Sequence, residues 1–319
     1  VARRMVAPRL MSSVTAPPGT APPAARAARP LWRRARRVLM FVLSMALIAA
    51  VWEGYKAVGP QNGGDVLGWK ILPRAKDSIM PHISDIYSRF GDPINRASDE
   101  TVLSVVLKGV WFSFRLVLAG FAMGLVAGVL LAVLMTRPRV AERAILPYLV
   151  ISQTVPLIAL APLVATWGGK VEIAGWEWPR WLTASVLGAF LTFFPIAVGT
   201  LRGLQSPHPS ALELMDSLAS PWHRTLFKLR FPAAVPYIVP ALKLGAAGAV
   251  IGVVVSEIST GLRGGIGRLV TEFGQKATSD PAIVYTAVIG ASVLGLAMAC
   301  LVALADALFM RNRPKETEA

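Results

Sequence analysis

The sequence predicts an all-α polytopic membrane protein with six transmembrane helices, and three observations carry that prediction. Mean hydropathy is +0.55, with 54% hydrophobic and 16% charged residues in 319; an ordinary soluble domain is far less apolar. Apolar runs near or above the length that crosses a hydrocarbon core of about 30 Å recur six times. The formal net charge of +15 gathers in tails and alternate loops instead of on a polar domain. The positive-inside rule accounts for that distribution, and a nucleic-acid partner is not expected.

Residues 1–37 are rich in Arg, Pro and Ala, with nine arginines and the pairs Pro17-Pro18 and Pro22-Pro23. Such a segment cannot bury a core, so it is expected to be a disordered cytoplasmic tail. Arg33, Arg34, Arg36 and Arg37 would face anionic membrane lipid. No small-residue cleavage site follows, so a signal peptide is not expected.

The membrane domain is expected over 38–310. Its first span is 38–52, extensible toward Leu31. An external segment, 53–101, places Ile79, Ile83, Ile86 and Phe90 at helical spacing between Pro81 and Gly91-Asp92-Pro93, the pattern of an interfacial amphipathic helix. The second span, 107–135, repeats Gly120, Gly124 and Gly128 at the spacing that lets helices approach closely. A short basic turn leads to the third span, 145–167. Its Pro147, Pro156 and Pro162 free backbone groups and predict one kinked helix lining a path.

After an outer loop, 168–180, the fourth span is 181–201. The fifth, 235–258, carries the small residues Gly248, Gly252 and Ser256. The sixth is 282–310, and 311–319 is a second cytoplasmic tail. The intervals assigned inside carry a large excess of Lys and Arg over Asp and Glu, whereas those outside are nearly balanced. Trp52, Trp111, Trp167 and Trp181 fall at outer ends of spans, as an aromatic belt would. Both termini and the interval 203–232 are therefore expected in the cytoplasm.

Four charges lie in or beside spans: Arg115, Lys243, Glu257 and Asp306. Such residues are candidates for function, although pairing or snorkelling explains each as well. For a translocation path Glu257 leads, with Gln153 and Thr154 beside Pro156, and with Pro162 further along the same span. Other chemistries lack their residues. Gly168-Gly169-Lys170 has neither the upstream Gly nor the following hydroxyl of a nucleotide-binding loop. His82, His208 and His223 lie outside the spans without a Cys/His cluster, so no metal is expected. Cys300 is the only cysteine and no Ser-His or paired-Asp constellation is buried, which argues against an intramembrane protease.

The most informative stretch is polar interval 206–232. Ser210 and Glu213 form an S-x-x-E capping box, so a helix is expected from Ala211. Ser220-Pro221 restarts it and Phe231-Pro232 ends the second piece. Two short helices joined by a bend suit either an amphipathic connector on headgroups or a knob for a groove in a partner.

This interval resembles the cytoplasmic "EAA" loop of ABC importer permeases. Glu213, Ala219, Leu229, Phe231 and Pro232 stand where the family has Glu, Gly, an aliphatic residue, Leu and Pro. Leu214-Met215 replaces Ala-Ala, Phe231 replaces Leu, and Ala219 replaces Gly. A left-handed bend suits glycine, so either Ala219 is strained or Ser220-Pro221 makes the break. Residues 151–163 and 193–201 resemble the nitrate/sulfonate/thiamine-precursor branch of these permeases. So do Glu257 and Gly265-Ile266-Gly267.

The resemblance implies a type I ABC importer permease, a non-enzymatic subunit in a bacterial cytoplasmic (inner) membrane. It implies a permease homodimer, a cytoplasmic ABC ATPase that binds ATP and Mg, and an extracytoplasmic solute-binding protein; this chain would bind no cofactor itself. Ser210, Glu213, Asp216, Ala219, Ser220, Pro221 and Pro232 would couple it to the ATPase. The expected solute is small and polar: a pyrimidine thiamine precursor or riboflavin, or alternatively a sulfonate, taurine or nitrate anion. From another class, the alternatives are an ATP-independent secondary carrier or an intramembrane enzyme.

Overall fold

The computed structural model describes residues 23–61, 63–66, 69–95, 99–137, 139–173 and 175–310. Most of the first tail and all of the second thus lie outside the described residues. The chain divides into two units, 1–59 and 60–319. The first contains helix α1, Pro23–Val58, of which Val38–Val58 is long and apolar enough to cross a membrane. Residues 23–37, expected to be disordered, are helical. Ala and Arg are both strong helix formers, and this stretch runs on into the apolar segment without a break.

The second unit opens with a hairpin, β1 (Gly64–Val66) and β2 (Trp69–Leu72), followed by α2 (Ile83–Gly91). The Asp85 carboxylate accepts the His82 N–H at 3.3 Å and so holds the start of α2. Asp92-Pro93 stops it, and Ile86 is buried, as its amphipathic spacing predicts. Four long helices follow in the positions expected of spans: α3 (Val102–Thr136), α6 (Arg180–Leu204), α9 (Phe231–Thr260) and α11 (Pro281–Met310).

Helix α6 lies between α3 and α9, and small residues set both spacings. A Cβ at Gly120, Gly124 or Gly128 of α3 would sit 2.6–2.8 Å from the carbonyls of Ser185, Ala189 or Phe193. On the other side, a Cβ at Gly252 would be 2.5 Å from the Leu187 carbonyl and one at Gly248 2.8 Å from that of Leu191. In lipid no hydrophobic drive separates helix from solvent, so close packing and interhelical hydrogen bonds must hold such a bundle. Ser185 donates across to the Leu116 carbonyl at 3.1 Å. The Thr192 hydroxyl lies 2.8 Å from Gly188 O on its own helix and 2.9 Å from Gly245 O on α9.

The third expected span is two helices, α4 (Arg139–Ser152) and α5 (Leu157–Gly168), bent by 99° at a break. Pro156 forces it, since the residue before proline is excluded from the α region and Pro156 itself is extended, with ψ 114°. Pro162 sits inside α5, where it ends nothing. The bent pair links the two ends of the bundle. Leu149, three residues before the end of α4, joins a core with Met135, Leu204 and Leu226 at one end of the bundle. At the finish of α5, Gly168 abuts Trp178 just before α6, at the other end.

Between α5 and α6 runs a second small hairpin, β3 (Glu172–Ile173) and β4 (Trp176–Glu177). Between α9 and α11 comes a helix not expected from sequence, α10 (Ile266–Gln275). Its Ile266, Leu269 and Phe273 enter the main core, at a spacing that makes one helical face.

Substituting Gly252 by valine therefore forces apart two backbones, whereas Gly295, with nothing within 4 Å of its ideal Cβ, has room. Gly252→Val is expected to cost on the order of 1–3 kcal/mol and Gly295→Val almost nothing, read as unfolding midpoints in detergent.

Candidate functional site

Residues 205–232 join α6 to α9 and form one of the two structured sites in the second unit. Helix α7 (Pro209–Ser217) starts two residues earlier than expected. Pro209 occupies its first turn, and the His208 ring, not Ser210, caps it: Nδ1 accepts the Ser210 N–H at 3.4 Å and lies 2.8 Å from the Ser210 hydroxyl. The Ser210–Glu213 capping box does not form. Glu213 is exposed, and its carboxylate has no hydrogen bond or ion pair among the described residues.

The bend after α7 is a Schellman turn. The Ser220 N–H donates to Met215 O at 3.0 Å and the Ala219 N–H to Asp216 O at 2.9 Å. That turn needs a left-handed residue, and Ala219 supplies it with φ 46°, the only positive φ outside glycine among the described residues. The departure from glycine noted in the sequence is thus accommodated as strain at Ala219. Ser220-Pro221 then starts α8 (Trp222–Thr225), with Pro221 extended at its cap.

Phe231-Pro232 does not end this piece. The chain passes through a π-helical turn, Leu226–Arg230, directly into α9, and Pro232, which has no N–H to donate, follows that turn. The loop is tied back at several points. Arg230 Nη1 donates to Leu204 O at 3.1 Å, and the Ser206 hydroxyl reaches Gly203 O at 2.8 Å. Arg137, after α3, stands 4.9 Å over the Trp222 ring, and Gln205 donates to Glu142 of α4 at 2.7 Å. Outward the loop presents apolar surface: Leu214 is 60% exposed, Leu218 68% and Phe227 65%. Asp216 is exposed beside them.

The second structured site is at the opposite end of the bundle. Glu257 of α9 is fully buried, with both carboxylate oxygens engaged. One accepts the Ser113 hydroxyl of α3 at 2.6 Å and the other the Gly267 N–H of α10 at 2.8 Å. Ser113 Oγ in turn accepts the Ile266 N–H at 2.8 Å. The free amides at the start of α10 are thereby satisfied by two side chains from two other helices. A Cβ at Gly265 would land on the Glu257 carboxyl, which accounts for the Gly-x-Gly that follows this glutamate. Glu257, a candidate for the path, has the geometry of a clasp joining α3, α9 and α10.

The remaining path candidates cluster at the α4–α5 break. Gln153 reaches the Ser152 hydroxyl at 3.3 Å, and the Thr154 hydroxyl donates to Ile151 O at 2.8 Å. Both bonds are local, and Thr154 and Pro156 are exposed. The structure does not bring them to Glu257, which is buried on α9. Lys243 of α9 and Asp306 of α11 pair with each other at 2.9 Å, and Arg115 stands 5.7 Å over the Phe112 ring. No group of three metal-ligating side chains occurs among the described residues.

Residues 124–314 match the model of a family described as binding-protein-dependent transport system inner membrane component. Among curated relatives, the formylaminopyrimidine transport permease ThiX of Halalkalibacterium halodurans is 35% identical over 48% of this chain and 59% of its own length. The putative aliphatic sulfonates transport permease SsuC of Bacillus subtilis is 29% identical, over 54% and 59% respectively. The riboflavin transport system permease RibX of Chloroflexus aurantiacus is 31% identical, over 53% and 59%. The chain thus spans less than two thirds of the length of these relatives. A solved structure titled as an amino acid ABC transporter with histidines shares the fold: TM-score 0.50, 17% identity, 66% of this chain and 95% of that one.

Two substitutions test this geometry. Glu257→Ala strands the Gly267 amide and the Ser113 hydroxyl in the interior and is expected to destabilise by about 2–4 kcal/mol; Glu257→Gln, which keeps one acceptor, is expected to cost less. Ala219→Gly relieves a left-handed alanine and is expected to stabilise by about 1 kcal/mol. Unfolding midpoints in detergent read both, and slower amide exchange at Ala219 and Ser220 localises the second.

Proposed function

Because the chain belongs to the family of binding-protein-dependent transport system inner-membrane components, we propose that it is the translocating subunit of an ATP-driven importer. In this reading residues 205–232 face the cytoplasm and α7 docks in a groove of a separate ABC ATPase, which holds the ATP and Mg. A solute-binding protein delivers cargo at the other end, and the permease works as a pair of copies. The excess of Lys and Arg in the segments on the 205–232 side supports the orientation.

The single observation that carries this reading is the outward face of the α7–α8 element. It is prefolded, its three large apolar side chains Leu214, Leu218 and Phe227 lie open, and Glu213 beside them has no partner among the described residues. Exposed apolar residues on a short rigid helix, rimmed by an uncommitted carboxylate, suit a protein groove with a basic residue at its edge. A connector lying on headgroups would not need the strained turn at Ala219.

The ties described above turn docking into work. When ATP draws the two ATPases together, α7 moves with them, and the Schellman turn passes that motion to α8 without slack. From there it reaches α6 through Arg230 and Leu204, the α3–α4 corner through Arg137 and Trp222, and α9 through the continuous π-turn. Helices α6, α3 and α9 are packed backbone to backbone, so they shift as a body and re-orient the path between faces. The solute is a small polar molecule. The formylaminopyrimidine and riboflavin relatives favour a heterocycle, and the sulfonate relative keeps an organic anion as the second choice.

The test is coupling. With the partner ATPase and binding protein in liposomes, Glu213→Ala is expected to reduce uptake at least ten-fold and to remove the stimulation of ATP hydrolysis by loaded binding protein, while the complex still assembles through Leu214 and Leu218. Unchanged uptake and stimulation would overturn the assignment of Glu213.

A further inference from the structure

At the end of the bundle remote from 205–232, a cavity of about 350 Å³ opens between the finish of α5, the start of α6 and the finish of α9. Its lining includes Gly169, Trp178, Arg180, Thr183, Thr260 and Gly261. The volume lies at the small end of the range for small-molecule sites. We propose that this cavity binds a small planar organic anion, a carboxylate or sulfonate on a ring.

Three features point to that class. Trp178 is a fixed aromatic wall. Its indole N–H donates to the Thr183 hydroxyl at 3.0 Å, and the ring packs so closely on Gly168 that a Cβ there would lie 2.5 Å from the indole nitrogen. A ring held in place before a ligand arrives offers stacking at little cost in side-chain entropy. Arg180, exposed on the same rim, has no carboxylate, carbonyl or ring partner among the described residues. A free guanidinium beside an aromatic wall fits a planar anion in two-pronged fashion.

The third feature is Thr183. It is only 3% exposed, and its oxygen accepts from Trp178, but its own hydroxyl proton has no acceptor among the described residues. Neither the Pro179 carbonyl four positions back nor the Arg180 carbonyl three back receives that proton. It is left as a donor at the cavity wall, where an anion supplies the missing acceptor. Thr260 is already spent, its hydroxyl donating to Ser256 O at 2.7 Å. Two donors of anion-seeking type, a ring wall and glycine backbone at Gly169 and Gly261 therefore converge on one space.

That this ligand is cargo entering the permease rests on the importer reading above; that it binds does not. The test uses the full chain alone in phosphatidylcholine nanodiscs, with benzenesulfonate as probe and neutral benzenesulfonamide as its counterpart, followed by equilibrium dialysis. Benzenesulfonate is expected to bind saturably at one site per chain, at least ten-fold more tightly than the sulfonamide. Arg180→Gln is expected to weaken the sulfonate at least ten-fold and leave the sulfonamide unchanged, and Arg180→Lys to restore part of the loss. Gly169→Leu is expected to abolish both, since Gly169 has an ordinary right-handed φ of −61° and accepts a side chain that fills the cavity.

Absence of saturable sulfonate binding to the wild-type chain would overturn the proposal, as would binding indifferent to both Arg180→Gln and Gly169→Leu in variants that elute as the wild type does. No ATPase is present in this assay, so a failure here leaves the Glu213 coupling result standing, and a failure there leaves this one standing.

Discussion

The structure depends on how closely α6 approaches its two neighbours. Lipid tails are as apolar as leucine, so burying side chains between membrane helices brings little free energy. What remains is dispersion at short range and a few hydrogen bonds across the gap. Gly120, Gly124 and Gly128 on one side, and Gly248 and Gly252 on the other, let carbonyls of α6 meet the facing backbone directly. Ser185 and Thr192 then add bonds that only backbones at that distance can accept. With α3, α6 and α9 locked in this way, the two ends of the bundle are rigidly related, and whatever acts at one end is felt at the other.

The ends are built by different means. At the remote end, Glu257 and Ser113 take up the first amides of α10, and the glycines around them leave the carboxylate just enough room. The result is a fully satisfied polar joint among three helices, the arrangement in which a buried charge-bearing group stabilises instead of straining. At the 205–232 end the reverse holds. Ala219 is held left-handed, Arg230 Nε is buried without a partner, and leucines lie in the open. Buried unpartnered atoms also occur at Thr200 and Ser256, but among the described residues only this loop joins one to a left-handed alanine and open leucines.

Much of this was legible in the sequence. The long spans, the amphipathic helix at Ile83–Gly91 and the packing role of the glycine stripes follow from run length and spacing. The strain at Ala219 was legible as one of two options, because a family glycine and a left-handed bend made alanine conspicuous. Three of the departures from the sequence reading have plain physical causes. Pro156 reads as a kink, but with Gln153 and Thr154 bonding locally before it the helix breaks by 99°. Ser210 with Glu213 reads as the cap, although Pro209 suits a first helical position and places His208 there. Helix α10 has no counterpart in the sequence reading, although Ile266, Leu269, Val270 and Phe273 spell a helical face, because the run is short and lies between two long apolar ones. The role of Glu257 could not be read from one strand of sequence, since its partners come from 144 positions upstream and from the Gly-x-Gly ahead.

The π-turn at Leu226–Arg230 carries a consequence of its own. One residue more than a normal turn holds sets everything before it out of phase with α9 by about 100°. The azimuth at which Leu214 and Leu218 project is therefore indexed by a single residue count and not by the composition of the helix. A one-residue insertion or deletion there would turn the knob on its stalk and so pull against the ties of Arg230 to Leu204 and of Arg137 to Trp222. The length of this segment is thus held fixed from both sides.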